Sequence, residues 1–214
     1  MMKRSAFTRT LASVLTLVML LALAVGFCAC AREKDDGITP LTVTEENRHL
    51  VGFTGAVGEE LVIPETIEVD GRQYRITVID DYAFYDCINL ISVTLPESVM
   101  QIGSYAFYSC FALKSIVLPE GIECIEPYAF DECVMLESVV IPKSVKHIEK
   151  SAFEDCLSLK TVYYCGNEAA WGRVGVEDGN HAVEHATVLC YREHKPLLGG
   201  EGYWHFSDGV PTAW

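Results

Sequence analysis

Four cysteines, Cys87, Cys110, Cys133 and Cys156, recur at intervals of 23 residues, and a thiol is the most reactive side chain that the chain repeats. A nucleophilic cysteine needs an oriented base beside it. Each of these instead sits among apolar residues that recur in the same register, which makes them small buried fillers. Equivalent residues on stacked strands lie ~4.8 Å apart, close enough in principle for a bridge. A column of equivalents, however, has no rule for choosing partners. Cys124, Cys165 and Cys190 fall outside the column, and Cys165–Cys190 is the pair worth testing as a disulfide. His181 and His185 are four residues apart with Cys190 nearby, which sketches a metal site. Exposed histidines in an irregular cap account for them more simply. Asp86, Glu132 and Asp155, with Asp131 and Glu154, gather at one corner of the repeat and would attract calcium. Ser109 interrupts that column, so a solvated acidic edge is the simpler account. There is no His-Glu-x-x-His, Gly-x-Ser-x-Gly, phosphate-binding glycine loop or EF-hand loop. No catalytic residue, metal or cofactor is expected, and the chemistry to look for is that of a surface.

The surface candidate is the outward side of a strand ladder. One column runs Val62, Thr94, Val117, Val140, Tyr163; its neighbour runs Glu60, Ser92, Ser115, Ser138, Thr161. Ile91, Lys114, Glu137 and Lys160 flank them. An apolar stripe beside a hydroxyl stripe can accept an extended peptide or a protein loop. β-Branched residues also favour strands wherever they point, with or without a ligand. Tyr82, Tyr105 and Tyr128 form a second column, either half-buried packing or an aromatic strip. Trp204, Phe206 and Trp214 could stack on sugar rings, or seal the end of the molecule.

These residues are positioned by a repeat. Ala83-Phe84, Ala106-Phe107, Ala129-Phe130 and Ala152-Phe153 are spaced 23 residues apart. Leu90, Leu113, Leu136 and Leu159 follow, then Val93, Ile116, Val139 and Val162, then Leu95-Pro96, Leu118-Pro119 and Ile141-Pro142. A fixed period of this length means a stack of supersecondary units, because one unit cannot bury its apolar side alone. Alternation places Val93 inside with Ser92 and Thr94 outside. Proline ends the strand because it has no N–H to donate. Val99 and Ile102 point inward from the next side of the coil, and the Ala-Phe segment has helical or 3₁₀ spacing. Val69 to Tyr74 predicts a hairpin about Asp70-Gly71, inserted in the first coil.

The unit Ala-Phe-x-x-Cys-x-x-Leu-x-x-Val-x-Leu-Pro resembles the BspA-type leucine-rich repeat, clearly over Leu61 to Tyr164. The resemblance implies a right-handed, mainly β solenoid: a parallel strand ladder of about five coils with short helical or 3₁₀ turns. It also implies a bacterial or protist surface protein that binds or adheres to host, matrix or cellular proteins. The expected ligand-binding face is Val62, Ser92, Thr94, Ser115, Val117, Ser138, Val140, Thr161 and Tyr163. A glycan-binding role through the C-terminal aromatic residues is the alternative.

The flanks complete the organisation. Lys3, Arg4 and Arg9 precede an apolar run from Leu11 to Phe27, then Cys28-Ala29-Cys30-Ala31 and the charged Arg32 to Asp36. That is the three-part pattern of an export signal, and the apolar run is short for a membrane span. Residues 1–30 are therefore expected to be an export signal of lipoprotein type with lipid on Cys30, or alternatively on Cys28. Plain cleavage after Ala31 would give a secreted protein. Residues 31–40 read as a tether, 41–60 as an N-terminal cap, 61–164 as the repeats, and 165–214 as a C-terminal cap ending in a β-hairpin about Asp208-Gly209. The chain carries a net charge of −14, and losing the three basic residues of the signal makes it more negative still. Such a surface repels nucleic acid, whose recognition needs Lys and Arg at phosphates. It also disfavours anionic lipid, so the membrane is reached only through the N-terminus.

Overall fold

The computed structural model describes residues 41–43, 49–53, 59–69, 71–194 and 201–214. The expected export signal, lipid attachment at Cys30 or Cys28, and tether lie outside these residues. No helix among the described residues is long and apolar enough to cross a membrane.

The chain winds through short strands. They are β1 (Leu41–Val43), β2 (His49–Phe53), β3 (Glu60–Val62), β4 (Thr66–Val69), β5 (Arg72–Arg75), β6 (Val78–Ile79), β7 (Ser92–Thr94) and β8 (Gln101–Ile102). Then come β9 (Ser115–Val117), β10 (Cys124–Ile125), β11 (Ser138–Ile141), β12 (His147–Ile148) and β13 (Thr161–Tyr164). After α1 (Glu168–Trp171) come β14 (Gly175–Val176), α2 (His181–His185), β15 (Thr187–Tyr191), β16 (Tyr203–Ser207) and β17 (Val210–Ala213).

The main ladder orders them β3-β7-β9-β11-β13-β15-β16-β17 and is parallel except for the final β16–β17 hairpin. Its register is in step: Ser115 pairs with Ser138 and Ser138 with Thr161. A second side of the coil carries shorter parallel pairs, β2-β6-β8 in one group and β10-β12-β14 in another. The predicted hairpin in the first coil is β4–β5, with Gly71 at φ 74 in its turn. The segment from 165, expected to be a cap, continues the parallel ladder through β15 and β16 before the hairpin closes it.

The third side holds the Ala-Phe turns, and it explains the period. Phe84, Phe107, Phe130 and Phe153 are all buried, and consecutive rings stack at 5.1, 5.4 and 5.2 Å. Each coil therefore rises by about one ring spacing, and the ring fills the space between two turns. The cysteines lie in the same interior. Cys110, Cys133 and Cys156 donate their thiols to the carbonyls of Phe84, Phe107 and Phe130, one coil back, at 3.1–3.2 Å. A cysteine here is thus apolar filler with a weak donor that ties neighbouring coils together. Cys165 and Cys190, the pair expected as a candidate disulfide, are both free thiols.

Backbone rungs bind the turns. Phe84, Phe107 and Phe130 donate N–H to Ala106, Ala129 and Ala152 of the next coil. At Phe153 no further Ala-Phe turn exists, and the side chain of Asn180 replaces it: its Oδ1 accepts from Phe153 N at 3.0 Å. Asn180 Nδ2 donates to the carbonyls of Glu149 and Glu177, so this fully buried amide is satisfied and the rung ladder ends closed. Gly179, at φ 87, packs against Ser151, and a side chain there would collide with it.

Candidate functional site: the outer strand face

Strand alternation puts Val93, Ile116, Val139 and Val162 inside, as expected, and turns the nine candidate face residues outward. Outward is not the same as exposed. At the N-terminal end Val62 is 71% exposed and Val117 47%, with Thr94 and Ser115 also open and Ser92 half-buried. Toward the C-terminal end Ser138, Thr161 and Tyr163 are half-buried, and Val140 keeps only 3% of its surface. The expectation of one continuous open stripe through Val140 is corrected on that point.

The cause is Trp204. It occupies an outward position on β16, opposite Tyr191. Its indole reaches back past β15 and donates Nε1–H to the carbonyl of Tyr164 at 2.9 Å. Tyr163, Tyr191 and Phe206 meet it edge-on at 5.3, 5.3 and 4.8 Å. Trp204 is fully buried and forms a second small core with Val140 and Leu189 on the outer side of the ladder. Of the aromatic residues considered for sugar stacking, Trp204 therefore presents no free ring. Phe206 keeps an open edge, and Trp214 stacks on His205 at 3.8 Å. Sequence reasoning placed the aromatic residues at the end of the molecule. It missed that one of them folds back over the candidate face, because no spacing rule links Trp204 to Val140.

The tyrosine column is also resolved. Tyr82, Tyr105 and Tyr128 stack at 4.9 and 4.8 Å, with Tyr85 and Tyr108 as a parallel pair at 4.9 Å. All three of the first column stand at φ near 60°, a conformation that costs a bulky residue ~1 kcal/mol or more. Ring stacking and backbone rungs such as Tyr105 N to Pro127 O offset that strain. The ring faces cover one another, so the column is packing with exposed edges.

The candidate reactive groups do not assemble into a catalytic site. His181 and His185 sit on α2, where His181 faces Glu184 at 3.0 Å and His185 Nδ1 donates to the carbonyl of His181. Cys190 is buried in the ladder, and burial raises its thiol pKa above the ordinary value. Cys124 is pushed up to about 12, first by burial and then by Glu126 and by its hydrogen bond to Glu149. Raised thiols are poor nucleophiles at neutral pH. Among the described residues no group of three or more His, Cys, Asp or Glu side chains is placed to hold a metal ion. A depression of about 570 Å³ beside β15 is lined by Glu168, Arg192 and Tyr203 among others. These polar groups are paired with one another: Tyr203 donates to Glu168 at 3.1 Å, and Arg192 lies 4.2 Å over the Tyr203 ring.

Stacked coils, an in-step parallel ladder and buried Ala-Phe turns define a leucine-rich-repeat solenoid with an outward strand face. The chain belongs to the BspA type leucine rich repeat family, whose sequence profile matches residues 65–173 in six copies. Solved structures agree. A leucine-rich repeat protein from T. pallidum shares 32% identity over 62% of this chain and 60% of its own, with a TM-score of 0.51. One from Bacteroides capillosus shares 29% over 62% of this chain and 98% of its own, at 0.53. One from Bacteroides ovatus has the same fold at 19% identity and 0.55, over 77% of this chain and 48% of its own. The chain thus spans about three fifths of the T. pallidum protein and about half of the B. ovatus protein. No curated protein matches it.

Proposed function

We propose that this protein is a non-enzymatic binding protein of the bacterial cell surface, exported and held there by lipid on Cys30. Its ligand is an extracellular or host protein, contacted by the open part of the strand face. The supporting observation is that Val62 and Val117 are held in water by the ladder's register, between the hydroxyl-bearing Ser92, Thr94 and Ser115. Exposed apolar residues on a rigid sheet, rimmed by hydroxyls, suit a protein contact. Ser138, Thr161 and Tyr163 continue the face as its half-buried floor beside the Trp204 cluster. The open strip spans three strands, ~10 Å between the outermost two, so a single chain binds weakly and several copies on one surface bind by avidity. An array of purified extracellular-matrix and cell-surface proteins tests this. The paired substitution Val62→Lys with Val117→Lys is expected to abolish the signal while thermal unfolding stays unchanged. Signal that survives in the folded variant would overturn the assignment of this face.

A further inference from the structure

The main ladder is finished differently at its two edges. At its last strand, β17, Trp214 N donates to Tyr203 O, so Thr212 and Val210 also turn their backbone groups toward β16. Pro211 and Ala213 face out, and a proline has no N–H to offer, which blunts that edge. At the first strand, β3, Ser92 N donates to the carbonyl of Glu59 and Ile63 N to that of Thr94. Glu59, Leu61 and Ile63 therefore turn their backbone groups toward β7, and alternation turns those of Glu60 and Val62 the other way. Among the described residues no strand pairs with that outer edge. The coil before β3 supplies β2 to the second side, with β1 paired over it, and among the described residues it supplies no strand to the main ladder. Val62 is 71% exposed against 47% for Val117 in the same column, as befits a residue with a neighbouring strand on one side only. Glu59 and Glu60 are exposed as well, and no cation among the described residues pairs with either.

We propose that the outer edge of β3 takes an extended segment of a partner protein as one more strand of the ladder, with a basic residue beside Glu60 and, two residues away, a β-branched apolar residue beside Val62. This site adjoins the outward face and does not depend on it. Glu60 and Val62 each present one N–H and one C=O to the edge, and an unpaired edge is a template for another chain. In such strand addition the backbone bonds supply affinity and alternate side chains supply specificity. Glu60 and Val62 point to the same face of the sheet, which sets the two-residue spacing of the basic and apolar residues. Charge selects the occupant. A second copy of this chain pairing through β3 brings its own Glu59 and Glu60, on a chain of net charge −14. A second copy pairing through β17 brings Pro211. A basic segment meets neither obstacle and gains an opposite-charge pair across the strands.

The test is an NMR titration of the isotope-labelled protein with the peptide Lys-Thr-Val-Thr-Lys, capped at both ends, which carries the required spacing in either direction. Two further peptides have the same sequence, one N-methylated at both threonines and the other at the lysines and the valine. Each blocks the donors along one edge of the extended peptide and keeps charge and side chains unchanged. With the unmodified peptide, the amide signals of Glu60 and Val62 are expected to shift and to become protected from solvent exchange. One methylated peptide is expected to bind about tenfold or more weakly, and the other within about twofold of the unmodified one. Val62→Pro removes the outward N–H and leaves the bonds to β7 in place, and is expected to weaken the unmodified peptide about fivefold. Should that variant fail to fold, the methylated pair on the unaltered protein decides. Equal affinity of the two methylated peptides, or shifts that miss Glu60 and Val62, would overturn the proposal. Protection of those amides that rises with protein concentration, without peptide, would assign the edge to a second copy and overturn it too.

Discussion

The two ends of the strand face begin from the same rule and finish in opposite states. Val117 and Val140 are consecutive members of one column, on paired strands and in register. Val117 stands in water, while Val140 is sealed under Trp204 and Leu189. The backbone ladder is alike in both; what differs is what comes back over it. A solenoid must cover its final coil, and here the covering reaches round the edge and takes part of the outer face with it. The lesson is that repeat register fixes which way a side chain points, and only the ends of the chain decide whether it meets solvent.

That contrast can be broken by substitution. The largest effects belong to the sealed half. Trp204→Ala removes the anchor and its hydrogen bond to Tyr164, with an expected loss of ~3–5 kcal/mol in urea unfolding. Val140→Lys should lose a comparable amount, because it places an unpaired cation in an apolar cluster. Asn180→Ala comes next. It leaves Phe153 N without its acceptor and opens the end of the rung ladder, at about 1–3 kcal/mol by the same measurement. Asp131→Asn goes the other way. The folded pKa of Asp131 lies above its ordinary value, so the protonated form favours the fold. The ionised form destabilises it progressively from about pH 4 to about pH 6, and fully above that. Asp131→Asn is therefore expected to gain about 1–3 kcal/mol at pH 7.5 and nothing below about pH 4, checked by denaturation across that range. The smallest effect is Val117→Lys, within about 0.5 kcal/mol of the parent protein, since that position is already solvated.

Much of this architecture was legible in the sequence. The period of Ala83-Phe84 through Ala152-Phe153 fixed the stacked core, and Asp70-Gly71 and Asp208-Gly209 marked both hairpins. The alternation at Ser92-Val93-Thr94 gave the outward columns. These features are local, or repeat locally. The parts that escaped depend on contacts between segments without shared spacing. Asn180 completes the rung ladder from a stretch with no repeat signature, 27 residues beyond Phe153. Trp204 covers Val140 from a hairpin three strands away along the ladder. Asp131 looked like one more member of a solvated acidic edge. It is buried at the position that Tyr85 and Tyr108 hold in earlier coils, which a residue-by-residue scan does not register.

The division of the strand face is best tested by hydroxyl-radical footprinting of the native protein, with oxidation read residue by residue in the mass spectrometer. Val62, Val117 and Phe206 should be modified, while Trp204 and Val140 stay protected until the protein unfolds. Modification of Trp204 at the rate of Phe206 in the folded protein would contradict the fold-back, and with it the boundary between the open and sealed halves.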